Sequence, residues 1–100
     1  MSHGSIDPNL RFSGHAIRQM FSRGISQQEV RQAVLSGQTI EQYPEDKPFP
    51  SRLVLWFSES GKPLHVVCTE FLDDGTVIIV TTSVPDAALW EPDYRTRKPR

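Results

Sequence analysis

One hundred residues, 37% apolar and 23% charged, are enough for one ordinary globular domain with a single modest core. A formal net charge of −1 excludes a chain that is basic throughout, and no apolar run approaches the roughly 18 residues of a membrane span. The lone Cys68 excludes an internal disulfide, and the opening MSHGSIDPNLR lacks a secretory apolar stretch, so a cytoplasmic location with no membrane partner is expected.

Residues 1–10 are read as a disordered N-terminal segment, 11–94 as a single domain and 95–100 as a basic tail. Ser13 has the chemistry of a helix N-cap. Ala16, Met20 and Phe21, with Ile17 beside them, then mark one apolar face of a helix over 14–22 that Gly24 stops. Ser26 and Glu29 form a capping box for a second helix over 27–36, with Val30, Ala33 and Val34 as its buried stripe and Gly37 at its end. The short linker makes the two helices a hairpin.

The period then changes. QTIEQY (38–43) alternates as a short strand, and the three prolines of 44–50 make a loop. RLVLWF (52–57), LHVVCTEF (64–71) and TVIIVTTS (76–83) read as strands joined by turns at SESGK and DDG. VPDAALW (84–90) leaves the sheet, as one helical turn that packs Trp90 on the body. The expectation is an α+β domain: two N-terminal helices packed on an antiparallel sheet of about four strands.

Charge is unevenly spread. Residues 1–35 carry four arginines against two acids, 36–94 carry three cations against ten acids, and the tail RTRKPR carries four cations. Basic ends on an acidic middle can still present a local phosphate site. His15 lies in the first turn of helix one, where the dipole favours the neutral imidazole that a general base requires. Arg18 and Gln19 follow at i+3 and i+4 and share its face, a combination that suits a phosphate, although a solvated polar face has the same pattern. Arg23 closes the helix, where a cation complements the dipole. If Leu72 pairs with Thr76 around DDG, His65 falls opposite Ser83 and Val67 opposite Thr81, which gathers an imidazole and hydroxyls at one end of a sheet face. Glu41 and Arg52 read as a cross-strand ion pair, and Arg52 is also placed to meet a ligand. Cys68 falls in an apolar alternation and reads as core. Trp56 and Trp90 read as core and clamp. The histidines and cysteine show no metal spacing, and there is no glycine-rich phosphate loop, so no cofactor is expected.

The string SGHAIRQMFSRGIS, followed by PEDKPFPSRLVLWF, PLHVV, DDGTVIIVTTSVPD and W…YRTRK, resembles domain-of-unknown-function family 4258 from about Arg11 to Lys98. It departs at TTSVPD, where the family more often has an aromatic residue in place of Val84 or its neighbour. The resemblance implies a RelE-like (MqsR-like) fold of the barnase–EndoU–colicin type of small nucleases. It also implies pairing with a small antitoxin carrying a zinc finger or helix-turn-helix. It favours His15, Arg18, Arg23 and His65 as functional residues. The function expected on that basis is a metal-independent RNA endonuclease toxin, cleaving mRNA by 2′-OH attack. His15 and His65 would serve as acid and base. Arg18, Arg23 and Arg52 would hold the phosphate, Thr81 would position it, and Arg97 and Lys98 would add backbone affinity. The competing expectation is a non-catalytic module that binds nucleic acid, nucleotide or protein at the same place.

Overall fold

The computed structural model describes residues 8–99. The expectation of disorder for the N-terminal segment therefore lies, up to Asp7, outside the described residues. The elements run β1 (Asn9–Phe12), α1 (Gly14–Arg23), α2 (Gln27–Ser36), β2 (Gln38–Tyr43), β3 (Ser51–Phe57), β4 (Pro63–Thr69) and β5 (Thr76–Ser83). The architecture is α+β, but the sheet has five strands in the order β1-β5-β4-β3-β2, not four. It is also mixed. β2 through β5 pair antiparallel, and β1 lies parallel to β5, with Asn9 opposite Thr76 and Phe12 opposite Ile79. The strand missed in the sequence is four residues long and pairs with a strand more than sixty residues away, so no local hairpin signal marks it.

Local chemistry explains the helix ends. The Ser13 hydroxyl accepts from the Ala16 amide at 2.9 Å and donates to the Val80 carbonyl at 2.8 Å, so one side chain both caps α1 and ties it to β5. Gly24 stops α1 at φ +68°, its amide bonded to the Met20 carbonyl. The Ser26–Glu29 capping box is complete, with bonds of 3.0 and 2.9 Å. Replacing Ser13 by alanine is expected to cost about 1–2 kcal/mol, because a cap and a helix–sheet tie are lost together. A urea titration measures this, and a loss below about 0.5 kcal/mol would mean that the cap is supplied elsewhere.

α1 packs on β5 and β1, and α2 on β3 and β4, all on one face of the sheet. Val30, Val54, Val66, Cys68, Val77 and Ile79 are fully buried between the layers, with Ala16 and Met20 of α1. Cys68 is core as expected. Phe21 is not: it is 92% exposed. A face one hundred degrees wide admits Ala16 and Met20 to the core, while the step from Met20 to Phe21 carries the next side chain out over its flank.

Candidate functional site

Strand alternation decides where His65 goes. Leu64, Val66 and Cys68 of β4 turn toward the helices, so His65, Val67 and Thr69 turn to the opposite, outer face. The expected register holds: His65 lies opposite Ser83 and Val67 opposite Thr81. His65 is nevertheless only 4% exposed. The chain beyond β5 covers it. The Asp86 carbonyl accepts from the Leu89 and Trp90 amides at 2.9 and 3.0 Å, a single turn that sets Trp90 edge-on to His65, ring centres 4.6 Å apart. The Asp93 carboxylate then accepts from the amides of Arg95 and Thr96, which holds the next turn and keeps its carboxyl below the usual range. Tyr94 sits in that turn at φ +57°. Its carbonyl is 2.7 Å from His65 Nε2.

A carbonyl only accepts, so Nε2 carries the hydrogen and the neutral ring keeps its lone pair on Nδ1. Burial lowers the His65 pKa, the Tyr94 carbonyl opposes that, and the Arg97 charge adds to it. This is a histidine that holds the C-terminal segment down.

Within the segment read as a basic tail (95–100), residues 95–98 return along 89–91. The Glu91 amide bonds the Thr96 carbonyl at 2.8 Å and the Lys98 amide bonds the Leu89 carbonyl at 2.9 Å. Trp90 and Arg97 pair as an antiparallel bridge, and the Arg97 guanidinium lies 5.1 Å from the centre of the Trp90 ring. Arg95, Arg97 and Lys98 are exposed on this C-terminal hairpin. Tyr43, half-buried on β2, is close enough to feel Arg97, though burial and Glu41 push its phenol pKa upward. The outer face thus gathers His65, Thr81 and Arg97, with Ser83 beside them. The part that Trp90 plays was readable only as far as a clamp, and that of Tyr94 not at all, since nothing local says which face a returning segment covers.

His15, Arg18 and Arg23 are exposed on α1. Gln19, grouped with them in the sequence, is committed instead: its Oε1 accepts from the Thr82 amide at 3.0 Å. Because α1 lies on the inner face of the sheet, His15 and His65 stand on opposite sides of it and are not brought together. Arg52 is apart from both groups, at the start of β3. It does not pair with Glu41, which lies opposite Leu53; its Nη1 donates to Thr39 Oγ1 at 2.8 Å and its Nε lies 3.7 Å from Glu70. The irregularity between Thr39 and Glu41 in β2 shifts that pairing. Burial pushes the nearby Cys68 thiol up to about 11, with Arg52 lowering it and Glu70 raising it, so it is no nucleophile. Among the described residues no three His, Cys, Asp or Glu side chains gather as a metal site.

The model of one family, described as a domain of unknown function (DUF4258), matches residues 12–83. The chain belongs to the DUF4258 family. No curated protein and no solved structure matches it. The DUF4258 match runs from the last residue of β1 to the end of β5, so the hairpin that covers His65 lies beyond the matched residues. Among the described residues no helix is long and apolar enough to cross a membrane.

Proposed function

We propose that the protein binds single-stranded RNA on the outer face of its sheet, through the C-terminal hairpin, without turning it over. The observation that carries this reading is the Arg97 guanidinium held over the Trp90 ring. A guanidinium backed by an aromatic ring is fixed in its plane and keeps its outer edge for two phosphate oxygens. Exposed Arg95 and Lys98 extend the cationic track, and the Thr81 and Ser83 hydroxyls lie on the same face. Positive side chains interleaved with aromatic rings are the usual equipment for a single strand. Turnover would require an acid and a base at one phosphate. The two histidines lie on opposite sides of the sheet, and one is buried, which argues against that pair.

The test is fluorescence anisotropy with labelled oligo-uridine of about ten nucleotides, within the usual site size of such modules. Arg97→Ala is expected to weaken binding roughly tenfold and to flatten the slope of log affinity against log salt by about 0.7, the value for one lost phosphate contact on a single strand. Unchanged affinity and slope would overturn the reading.

A second reading, the metal-independent ribonuclease toxin, draws on the RelE-like resemblance and on α1, whose exposed His15, Arg18 and Arg23 have no acid among them. An antitoxin with a zinc finger or helix-turn-helix belongs to that reading. Growth and bulk RNA integrity after inducing the chain alone separate the two. Arrest with RNA fragmentation, abolished by His15→Ala at its exposed position, would establish the nuclease and remove the non-catalytic proposal.

A further inference from the structure

We infer that the open edge of β1, with the groove beside it, binds an extended acidic segment of a partner protein by adding it to the sheet as a further strand. The surface is distinct from the C-terminal hairpin, and the inference does not rest on the RNA reading.

The backbone comes first. The Asn9 amide bonds the Gly75 carbonyl at 3.1 Å and the Ser13 amide bonds the Ile79 carbonyl at 2.9 Å, so the odd-numbered residues of β1 turn their polar backbone groups to β5. In a parallel ladder the even residues then turn theirs away. β1 is the last strand in the sheet, so the amides and carbonyls of Leu10 and Phe12 face a free edge among the described residues.

The side chains supply the second part. Phe12 points to the helix side of β1, beside Ile79 in register. There it shares a groove of about 570 Å³ with Met20 and Ile25 at the base and Ile17 and Phe21 as the wall. Ile17 is 54% and Phe21 92% exposed, one turn apart on the same flank of α1. An aromatic ring left in water beside an apolar groove and an open strand edge is the composition of a strand-addition site: main-chain bonds give affinity, and alternate side chains fill the groove.

Charge selects the occupant. From Pro8 to Gln28 the formally charged residues are Arg11, Arg18 and Arg23, and the acids beside them are Glu29, whose carboxylate is taken up by the Ser26 amide at the groove's rim, and Asp74, whose carboxyl feels the Arg11 charge. Arg11 stands on the face of β1 opposite Leu10 and Phe12. An incoming strand that places apolar residues in the groove therefore turns its alternate residues to Arg11, and acids there are matched. A second copy of this chain would bring the same arginines together, like charge on like, so self-pairing along this edge is disfavoured. RNA has no strand-spaced donors and acceptors for Leu10 and Phe12.

The experiment uses the full chain and three probes: a labelled ten-residue peptide alternating valine or isoleucine with glutamate or aspartate, its counterpart with lysine at every acid, and oligo-uridine. The acidic peptide is expected to bind, to slow hydrogen exchange at the Leu10 and Phe12 amides, and to outbind the lysine peptide at least tenfold. Phe21→Asp is expected to weaken it about 30-fold, the size of a lost aromatic anchor, while oligo-uridine binding stays unchanged. Because Phe21 is exposed, the variant should unfold at the wild-type denaturant midpoint. Arg11→Glu is expected to abolish the preference for the acidic peptide. Equal binding of the two peptides, acidic-peptide affinity unmoved by Phe21→Asp, or oligo-uridine affinity lost in that variant would each overturn the inference. So would sedimentation showing a dimer that Phe21→Asp dissolves, since the occupant would then be a second copy.

Discussion

Gly37→Ala is expected to destabilise the protein by about 3 kcal/mol, the upper range for overpacking a close-packed seam. Gly37 joins α2 to β2 with φ −75° and ψ 171°, ordinary extended backbone that any residue can adopt. The constraint is space. A methyl on Gly37 would lie inside van der Waals contact of the Ala33 carbonyl oxygen and of Val54 Cγ1, and 3.0 Å from the Leu55 carbonyl oxygen. None of these yields easily. The Ala33 oxygen is held by the Gly37 amide at 2.8 Å, Val54 is fully buried, and Leu55 is paired into the sheet opposite His65. Relief means lifting α2 from β3. Gly24 offers the control: its φ of +68° disfavours a side chain, but nothing lies within 4 Å of where one would go. Gly24→Ala should therefore cost only about 1 kcal/mol, from backbone strain alone. Urea midpoints for the two variants decide the matter. A Gly37→Ala loss no greater than that of Gly24→Ala would show that the α2–β3 seam relaxes freely.

The same glycine shows how far the sequence was legible. Its position as the end of α2 could be read, because helical periodicity stops there. Its reason could not, because the obstacle comes from β3. Signals that act within a few residues were clear: the Ser13 cap, the Ser26–Glu29 box, the left-handed stop at Gly24, and the DDG turn, where the Leu72 amide bonds the Thr76 carbonyl at 2.8 Å. The pair His65–Ser83 falls where that turn predicts, although the β4–β5 ladder has an irregularity between Val67 and Cys68 that sets Cys68 opposite Ile79. Features made by distant segments were hidden. β1 earns its strand only beside β5, Arg52 finds Thr39 and Glu70 rather than Glu41, and the basic tail folds back through Asp93 and Trp90. The candidate histidines illustrate both limits. Alternation correctly put His65 on a face with Thr81, but which face the helices would cover, and what would cover the other, are properties of the whole chain.

His65→Ala is expected to cost about 2–3 kcal/mol and to release the C-terminal hairpin, since it removes a buried packing partner and leaves the Tyr94 carbonyl unpaired. The pH dependence identifies the residue. Burial holds the His65 pKa in the folded protein below the 6.5 of the free side chain. Above that value both states are neutral at this site and its contribution is fully present. As pH falls below 6.5 the unfolded chain takes up a proton that the folded one refuses. Stability then declines by up to about 1.4 kcal/mol per pH unit until the folded-state pKa is passed. Asp74 and Asp93, whose carboxyls are held below the usual range by hydrogen bonds, act only in a more acidic window, below 3.8. Urea unfolding between neutral pH and pH 4.5 or so therefore isolates the imidazole. Trp90 emission reports the hairpin, in a Trp56→Phe background that silences the other indole. The expected result is a wild-type slope between pH 6.5 and the folded-state pKa that is absent in His65→Ala, with Trp90 already solvent-like in the variant at neutral pH. Identical acid profiles for the two proteins would show that the Trp90–Tyr94 cover does not depend on a neutral imidazole, and would reopen His65 as a group available to chemistry on the outer face.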